Sequence, residues 1–459
     1  MNRRSGWRYP PRRATSLLAA VVLLAMAPLS GCGPTHQDTQ ATLGPIQLTV
    51  WATTHADSDE GRMRIAQVKS FEAAHPGTTV ELKQISDSGQ DDYNDQVQAA
   101  ITAGNMPDLL LVDGPNIASY AYQGGLTPLD GLLDPQVRDR MLPSLVAQGT
   151  WNGHLWAVGA FDSGLAMWAD RTALVRAGVR IPTGPDDAWT ATEMTDVLAA
   201  LAANDPDGKV LDLQLKDVTT EWLTYGFAPL LYSAGAALLN PATGRATGTL
   251  DSPAAVRAMT TLQDWTAYIE PPEADAKAFP DRRVALSWTG HWVYPAYHAA
   301  LGDDLMLIPL PDLGNGTKSG QGSWAWVVGA GTAHPAEAAS LVDWFTNDAA
   351  ATAIVAVNGA VPGTLAALAD SDLYGPGKPL GLYGDQLKRT CGDGPFSKAC
   401  VTVPRPVTPA YPTITAAFGT AVLAVLQGGD PQQALSKAAS TIDAAIELNH
   451  GYTQAPPTP

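Results

Sequence analysis

Gly104-Asn105-Met106-Pro107-Asp108-Leu109-Leu110-Leu111-Val112-Asp113 decides the fold. Gly104 ends a helical stretch, Pro107 breaks the chain, and four large apolar residues then run without a polar gap. A run with no alternation reads as a strand buried on both faces, the kind found inside a parallel sheet. It stops at Asp113-Gly114-Pro115-Asn116, a polar turn. In open α/β sheets ligands sit beyond the carboxyl ends of the strands, so Asp113 becomes the first candidate site residue. Upstream, Ile46-Gln47-Leu48-Thr49-Val50-Trp51 alternates and is β-rich. A helix from about Ser58 to His75 follows, then a strand from Thr78 to Ile85 and a helix from Tyr93 to Ala103. Strand, helix, strand, helix, strand is a doubly wound α/β pattern with a parallel sheet. Two more strand ends place Thr53, His55 and Asp87 beside Asp113.

Beyond Leu155-Trp156-Ala157-Val158 the pattern changes. Helices are expected over 191–203, 221–234, 253–269, 335–346, 349–357, 413–427 and 431–448, and strands over 165–168, 285–288, 305–308 and 324–328. This reads as a second α/β lobe with extra helices, and there is no internal repeat.

The chain has 459 residues, of which 45% are apolar and 16% charged, so it can bury a large core. Acids outnumber Lys plus Arg by 45 to 28. That balance argues against a nucleic-acid partner, which needs a basic footprint. Arg3, Arg4, Arg8, Arg12 and Arg13 precede an apolar run from Ala19 to Leu29, which ends in Leu29-Ser30-Gly31-Cys32. The run is shorter than the roughly 20 residues a membrane span needs. It reads as a lipoprotein signal peptide over 1–31, with Cys32 acylated and 32–45 a polar tether to the outer face of the cell membrane. Cys391 and Cys400 remain. With eight residues between them, including Gly392, Gly394 and Pro395, they are expected to form a local disulfide.

The order of landmarks resembles the extracellular solute-binding proteins of carbohydrate ABC importers, the class that includes maltose-binding protein. Phe71-Glu72-Ala73-Ala74-His75-Pro76-Gly77 is like that family's F-E-x-x-x-P-G, and Gly104–Asp113 is like its G-x-x-P-D and strand. Gly125-Leu126-Thr127-Pro128-Leu129-Asp130, Gly153-His154-Leu155-Trp156-Ala157-Val158 and Leu286-Ser287-Trp288-Thr289-Gly290-His291-Trp292 follow in the family's order. The resemblance implies a two-lobed periplasmic-binding-protein-like α/β fold with hinge crossings and a ligand cleft. Lobe one would hold 46–157 plus 325–358, lobe two 160–322 plus 362–450, and 451–459 would be a disordered tail. It further implies a monomer that captures an oligosaccharide or related polyol, hands it to permease subunits, and uses no cofactor or metal.

A sugar offers hydroxyls and apolar C–H faces, so its site needs carboxylates, amides and flat aromatics. By the resemblance Trp292 stacks on ligand, Asp162 and Glu221 present acids, and Arg405 lies on a cleft-lining segment. Asn116 stands where relatives often carry an aromatic. Trp222 follows a helix start, Trp324 a crossover, and Trp288 sits in an alternating strand; all three are candidates. GxSxG, HExxH, GxxxxGK[ST] and GxGxxG do not occur. Two readings compete with capture: a surface glycoside hydrolase or transferase using paired cleft carboxylates, such as Asp113 and Asp162, and a structural or sensor lipoprotein without transport.

Overall fold

The computed structural model describes residues 44–85, 90–216, 218–271, 277–392 and 396–453, with only the backbone course given for 90–92. The lipobox Cys32, the leader and Asp87 lie outside the described residues.

The strand Leu109–Asp113 is buried at all five positions. It lies in the middle of a mixed sheet ordered Thr78–Gln84, Ile46–Ala52, Leu109–Asp113, Trp324–Gly329, Leu126–Thr127, with Ala157–Gly159 also paired to Trp324–Gly329. Strand periodicity of two sorts its side chains. Leu109 and Leu111 join Leu48, Val50, Phe71, Trp326 and Leu341 on one face. Leu110 and Val112 join Tyr93, Val97, Ile117 and Trp156 on the other. Helices cover both faces, which is why the sequence shows no alternation here.

The first three strands are parallel. The fourth strand in this order reverses: Trp324–Gly329 runs antiparallel to Leu109–Asp113, with Trp324 opposite Asp113. This strand returns from the other lobe and therefore enters the sheet from the far end. Its register sets an indole beside the carboxylate that ends the central strand.

The second sheet is ordered Leu211–Asp212, Leu286–Gly290, Leu165–Asp170, Leu305–Ile308. Helices Ala191–Ala202, Thr220–Ser233, Pro253–Trp265, Tyr411–Leu426 and Pro431–Leu448 pack a large core against it. The backbone passes between the sheets at 159–165 and 319–324, and 358–362 leads out of the first lobe alongside them. These crossings touch one another. Val361 pairs with Asp162, and the Ala160 amide donates to the Trp324 carbonyl at 2.9 Å.

Cys391 and Cys400 are bridged, with Cα atoms 4.9 Å apart. The bridge pins the loop that leads into the strand Thr402–Pro404, paired in parallel with Ser319–Gln321, and so fixes the base from which Arg405 projects. At the carboxyl end, the expectation of disorder from 451 does not hold for Tyr452. Tyr452 packs edge-on against Tyr122, with ring centroids 5.2 Å apart, because an aromatic at the last turn finds an apolar surface within reach.

Candidate functional site, the cleft between the lobes

A cavity of about 350 Å³ opens between the sheets. Its floor is an ion cluster. Arg405 follows the short strand Thr402–Pro404 and reaches across to Asp113, giving two parallel hydrogen bonds: Nη1 to Oδ2 at 2.7 Å and Nη2 to Oδ1 at 2.8 Å. The same Nη1 donates to Glu221 Oε1 at 2.6 Å. Glu221 stands in the first turn of helix Thr220–Ser233, which Thr219 caps by accepting the Trp222 amide at 3.1 Å. Tyr411 O–H donates to Glu221 at 2.7 Å and Thr415 O–H at 2.9 Å. Every partner is supplied by an element of the second lobe except Asp113, so the guanidinium joins the lobes through a bidentate fork.

All three charged groups are buried, at 10% side-chain exposure or less. Burial pushes the Glu221 carboxyl above its ordinary range, against the opposing pull of Arg405. Burial also works against the Arg405 charge, but Asp113 and Glu221 outweigh it and hold the guanidinium charged. Tyr225, one helical turn beyond Glu221, lies under Arg405 with its ring centroid 4.8 Å from the guanidinium carbon.

The walls are aromatic. Trp222 and Trp292 meet edge to face, centroids 6.1 Å apart and planes at 84°. Trp222 is held by its indole N–H, which donates to the Leu213 carbonyl at 3.0 Å. Trp292 is 40% exposed. Trp324 faces them from the first lobe, its ring edge on Tyr93. Thr53 completes that side. The hydroxyls of Thr53 and Tyr225 and Arg405 Nε are buried without a hydrogen-bond partner.

Thr53, Asp113, Glu221, Trp222, Trp292, Trp324 and Arg405 are thus brought together around one cavity. Four other candidates are placed elsewhere. Trp288 is fully buried in the second lobe's core, packed on Phe227 with its N–H donated to the Gly226 carbonyl at 3.1 Å. Its strand is covered on both faces, so alternation there does not expose one side. Asp162 is also fully buried. It accepts the amides of Ser163 and Gly322 at 2.8 and 2.9 Å and the Ser144 hydroxyl. A carboxylate at a crossing of chain segments is thereby spent on backbone donors. Burial pushes its carboxyl up. Asn116 closes the tight turn Gly114–Asn116 and is buried there. His55 is exposed beside the first helix, where its carbonyl accepts the Ser58 amide at 3.0 Å. Asp162 does not line the cavity that Asp113 and Glu221 line, so Asp113 and Asp162 are not a pair set across it.

Residues that the sequence reading passed over also line the wall: Phe161, Ser163, Tyr225, His291, Ser323 and Asn358 among them. Tyr225 was legible as the i+4 neighbour of Glu221 on one helix face, and His291 as the residue before Trp292. His291 is buried, its Nε2 is 2.8 Å from Ser163 Oγ and its Nδ1 3.1 Å from the Asn358 carbonyl. Burial pushes its pKa down to about 4. The unfolded ring, near its ordinary 6.5, binds more protons than the folded one between these values, so stability falls as pH drops through that window. The raised carboxyls Asp162 and Glu221 act in the opposite sense, so the His291 contribution is read as a difference. Between pH 6.5 and 5.5 the wild type should lose about 1 kcal/mol more than His291→Gln in urea unfolding. Equal losses in the two proteins would show that the buried ring does not govern this window.

The profile of one family, described as bacterial extracellular solute-binding protein, matches residues 66–374. That is more than half of the chain and takes in the cleft walls on both sides. The chain belongs to the bacterial extracellular solute-binding proteins. An uncharacterized lipoprotein in the oleD 5′ region of Streptomyces antibioticus is 30% identical to this solute-binding protein over 195 residues, 41% of this chain and 39% of that one. A putative binding protein of Brucella abortus is 24% identical over 197 residues, 40% of this chain and 45% of that one. The chain therefore spans less than half the length of these curated relatives. Solved structures share the two-lobed fold. The GacH receptor of Streptomyces glaucescens, determined unliganded and with acarbose, superposes with a TM-score of 0.70 at 21% identity, over 90% of this chain and all of that one. The maltose/maltodextrin-binding domain MalE of Bdellovibrio bacteriovorus bound to maltotriose gives 0.70 at 19%, over 88% and 100%. UgpB of Mycobacterium tuberculosis with glycerophosphocholine gives 0.72 at 18%, over 89% and 100%.

Proposed function

We propose that this solute-binding protein captures a neutral carbohydrate by closing its lobes and delivers it to the transmembrane subunits of an ABC importer. The observation that carries the reading is the cavity wall: Trp222, Trp292 and Trp324 around buried carboxylates. Indole faces suit the C–H faces of a pyranose, and the polar floor suits its hydroxyls. The neutral class follows from Arg405. Among the described lining residues it carries the positive charge, and Asp113 and Glu221 already occupy both ends of its fork. A phosphate or carboxylate entering here would meet a guanidinium already paired with two carboxylates. The binding proteins for acarbose, maltotriose and cyclic maltosyl-maltose share this fold, in keeping with the reading. Acylation of Cys32 is proposed from the leader that precedes it and from the relative described as a lipoprotein.

Thermal unfolding of residues 33–459, followed by intrinsic Trp fluorescence, tests the proposal against maltotriose, trehalose, tagatose and glycerophosphocholine. Binding to the native state alone adds about 2.7 kcal/mol at a hundredfold excess over Kd. At least one neutral saccharide should raise the melting temperature by several degrees. A shift with glycerophosphocholine alone, or none with any sugar in a wider panel, would overturn the neutral-carbohydrate assignment.

A further inference from the structure

Three chain crossings join the lobes, and one hydrogen-bonded chain touches all three. Ser163 lies on the first crossing, Ser323 on the second and Asn358 at the start of the third. His291, from the second lobe, stands among them at 1% exposure. Its Nδ1 lies 3.1 Å from the Asn358 carbonyl oxygen, its Nε2 lies 2.8 Å from Ser163 Oγ, and Ser163 Oγ lies 3.2 Å from Ser323 Oγ. Phe161 packs edge-on against the ring, 5.7 Å between centroids.

Hydrogen counting fixes the direction of this chain. A carbonyl oxygen only accepts, so Nδ1 must carry the ring hydrogen. In the neutral ring Nε2 then accepts, and Ser163 must donate to it. Ser163 has one hydroxyl hydrogen, so its link to Ser323 needs Ser323 as donor. The order is Ser323 to Ser163 to His291 to Asn358. At the head of the chain Ser323 Oγ has given its hydrogen away and keeps lone pairs. Ser323, Ser163, His291 and Asn358 all line the ligand cavity, and His291 is followed directly by Trp292.

The geometry points to His291 as the positioning residue that ties ligand capture to the hinge, with Ser323 Oγ accepting a hydrogen from the ligand. A hydroxyl entering the cavity extends the chain by one donor. It thereby strengthens, through a single imidazole, the same contacts that join the three crossings. A ligand presenting only an acceptor at that point would find no hydrogen to receive. This role rests on the lobe-closure reading, but not on which ligand is bound. It is separate from the frame that Asp162 and the strand pair at Val361 provide, because neither Asp162 nor Val361 lines the cavity.

The test uses the ligand-free protein. Nitrogen-15 NMR of the histidine rings should show His291 as the Nδ1–H tautomer, unchanged from pH 8 to 5.5. Hydrogen exchange should show the chain's reach. One net hydrogen bond is worth about 0.5–1.5 kcal/mol, so Ser163→Ala should speed exchange roughly 2- to 12-fold at Leu165, Gly322 and Ala360 together, one amide on each crossing. Ser323→Ala should give the same three-segment pattern. An Nε2–H tautomer, faster exchange confined to the mutated crossing, or no change at Ala360 would each overturn the assignment. Should Ser163→Ala fail to fold, Ser323→Ala and the tautomer still decide it. Neither readout needs a saccharide, so a protein that binds no sugar would refute the proposed ligand class and leave this result standing.

Discussion

Arg405→Met should cost about 3–5 kcal/mol of stability in urea unfolding, the range for removing one member of a buried ionic cluster. The guanidinium makes two bonds to Asp113 and one to Glu221 in a site where none of the three side chains is more than 10% exposed. Without it two carboxylates remain in low dielectric with like charge and no cation between them. Tyr411 and Thr415 still donate to Glu221, but Asp113 loses its fork. The loss comes from stranded charge more than from the bridge itself, since replacing a whole buried cluster with apolar groups is often neutral. Adding Asp113→Asn and Glu221→Gln to Arg405→Met should therefore recover most of the deficit, a strongly non-additive result. A single-variant loss below about 1 kcal/mol would mean that water enters the cleft and screens the cluster. The same bridge bears on function. It links the end of the first lobe's central strand to the second lobe through the chain's own residues, so part of the interaction between the lobes is built into the chain.

The fold was legible because its main elements carry local signatures that survive tertiary context. The unbroken apolar run before Asp113 could be little else than a central strand, and helix Pro431–Leu448 begins after an Asp with Pro at its first position and ends where the apolar period stops. The antiparallel entry of Trp324–Gly329 was not legible, since direction depends on where the chain re-enters the sheet. The site divides along the same line. Asp113, Glu221, Trp222, Trp292, Trp324 and Arg405 stand at strand ends, helix starts or motif positions, which point into the cleft by construction. Trp288 and Asp162 have the right chemistry in the wrong place: Trp288 is enclosed by a doubly covered strand, and Asp162 is consumed by backbone amides at a crossing. Ser163 and Ser323 could not have been chosen from sequence, because a serine shows its role only once the segments around it meet.

Trp292→Ala should weaken binding of the saccharide that stabilises the wild type by at least about 2 kcal/mol, close to thirtyfold in Kd. Trp292 is 40% exposed, so it has contact area to give up to a ligand, while its loss leaves no hole in a core. Its pose is set from three sides. Trp222 meets it edge-on at 6.1 Å, His291 edge-on at 5.4 Å, and the ring folds over Gly290, where an added Cβ would fall 2.1 Å from its Cζ3. A held ring costs little further ordering when ligand arrives, which is the condition for a binding hot spot. Gly290→Ala keeps the indole but pushes it out of this pose, so it should lose affinity as well, separating pre-organisation from mere aromatic area. Isothermal titration of both variants, with circular dichroism to establish the native fold, gives the answer. Affinity within twofold of wild type in a folded Trp292→Ala protein would remove the indole from the ligand seat and transfer the stacking role to Trp222 or Trp324.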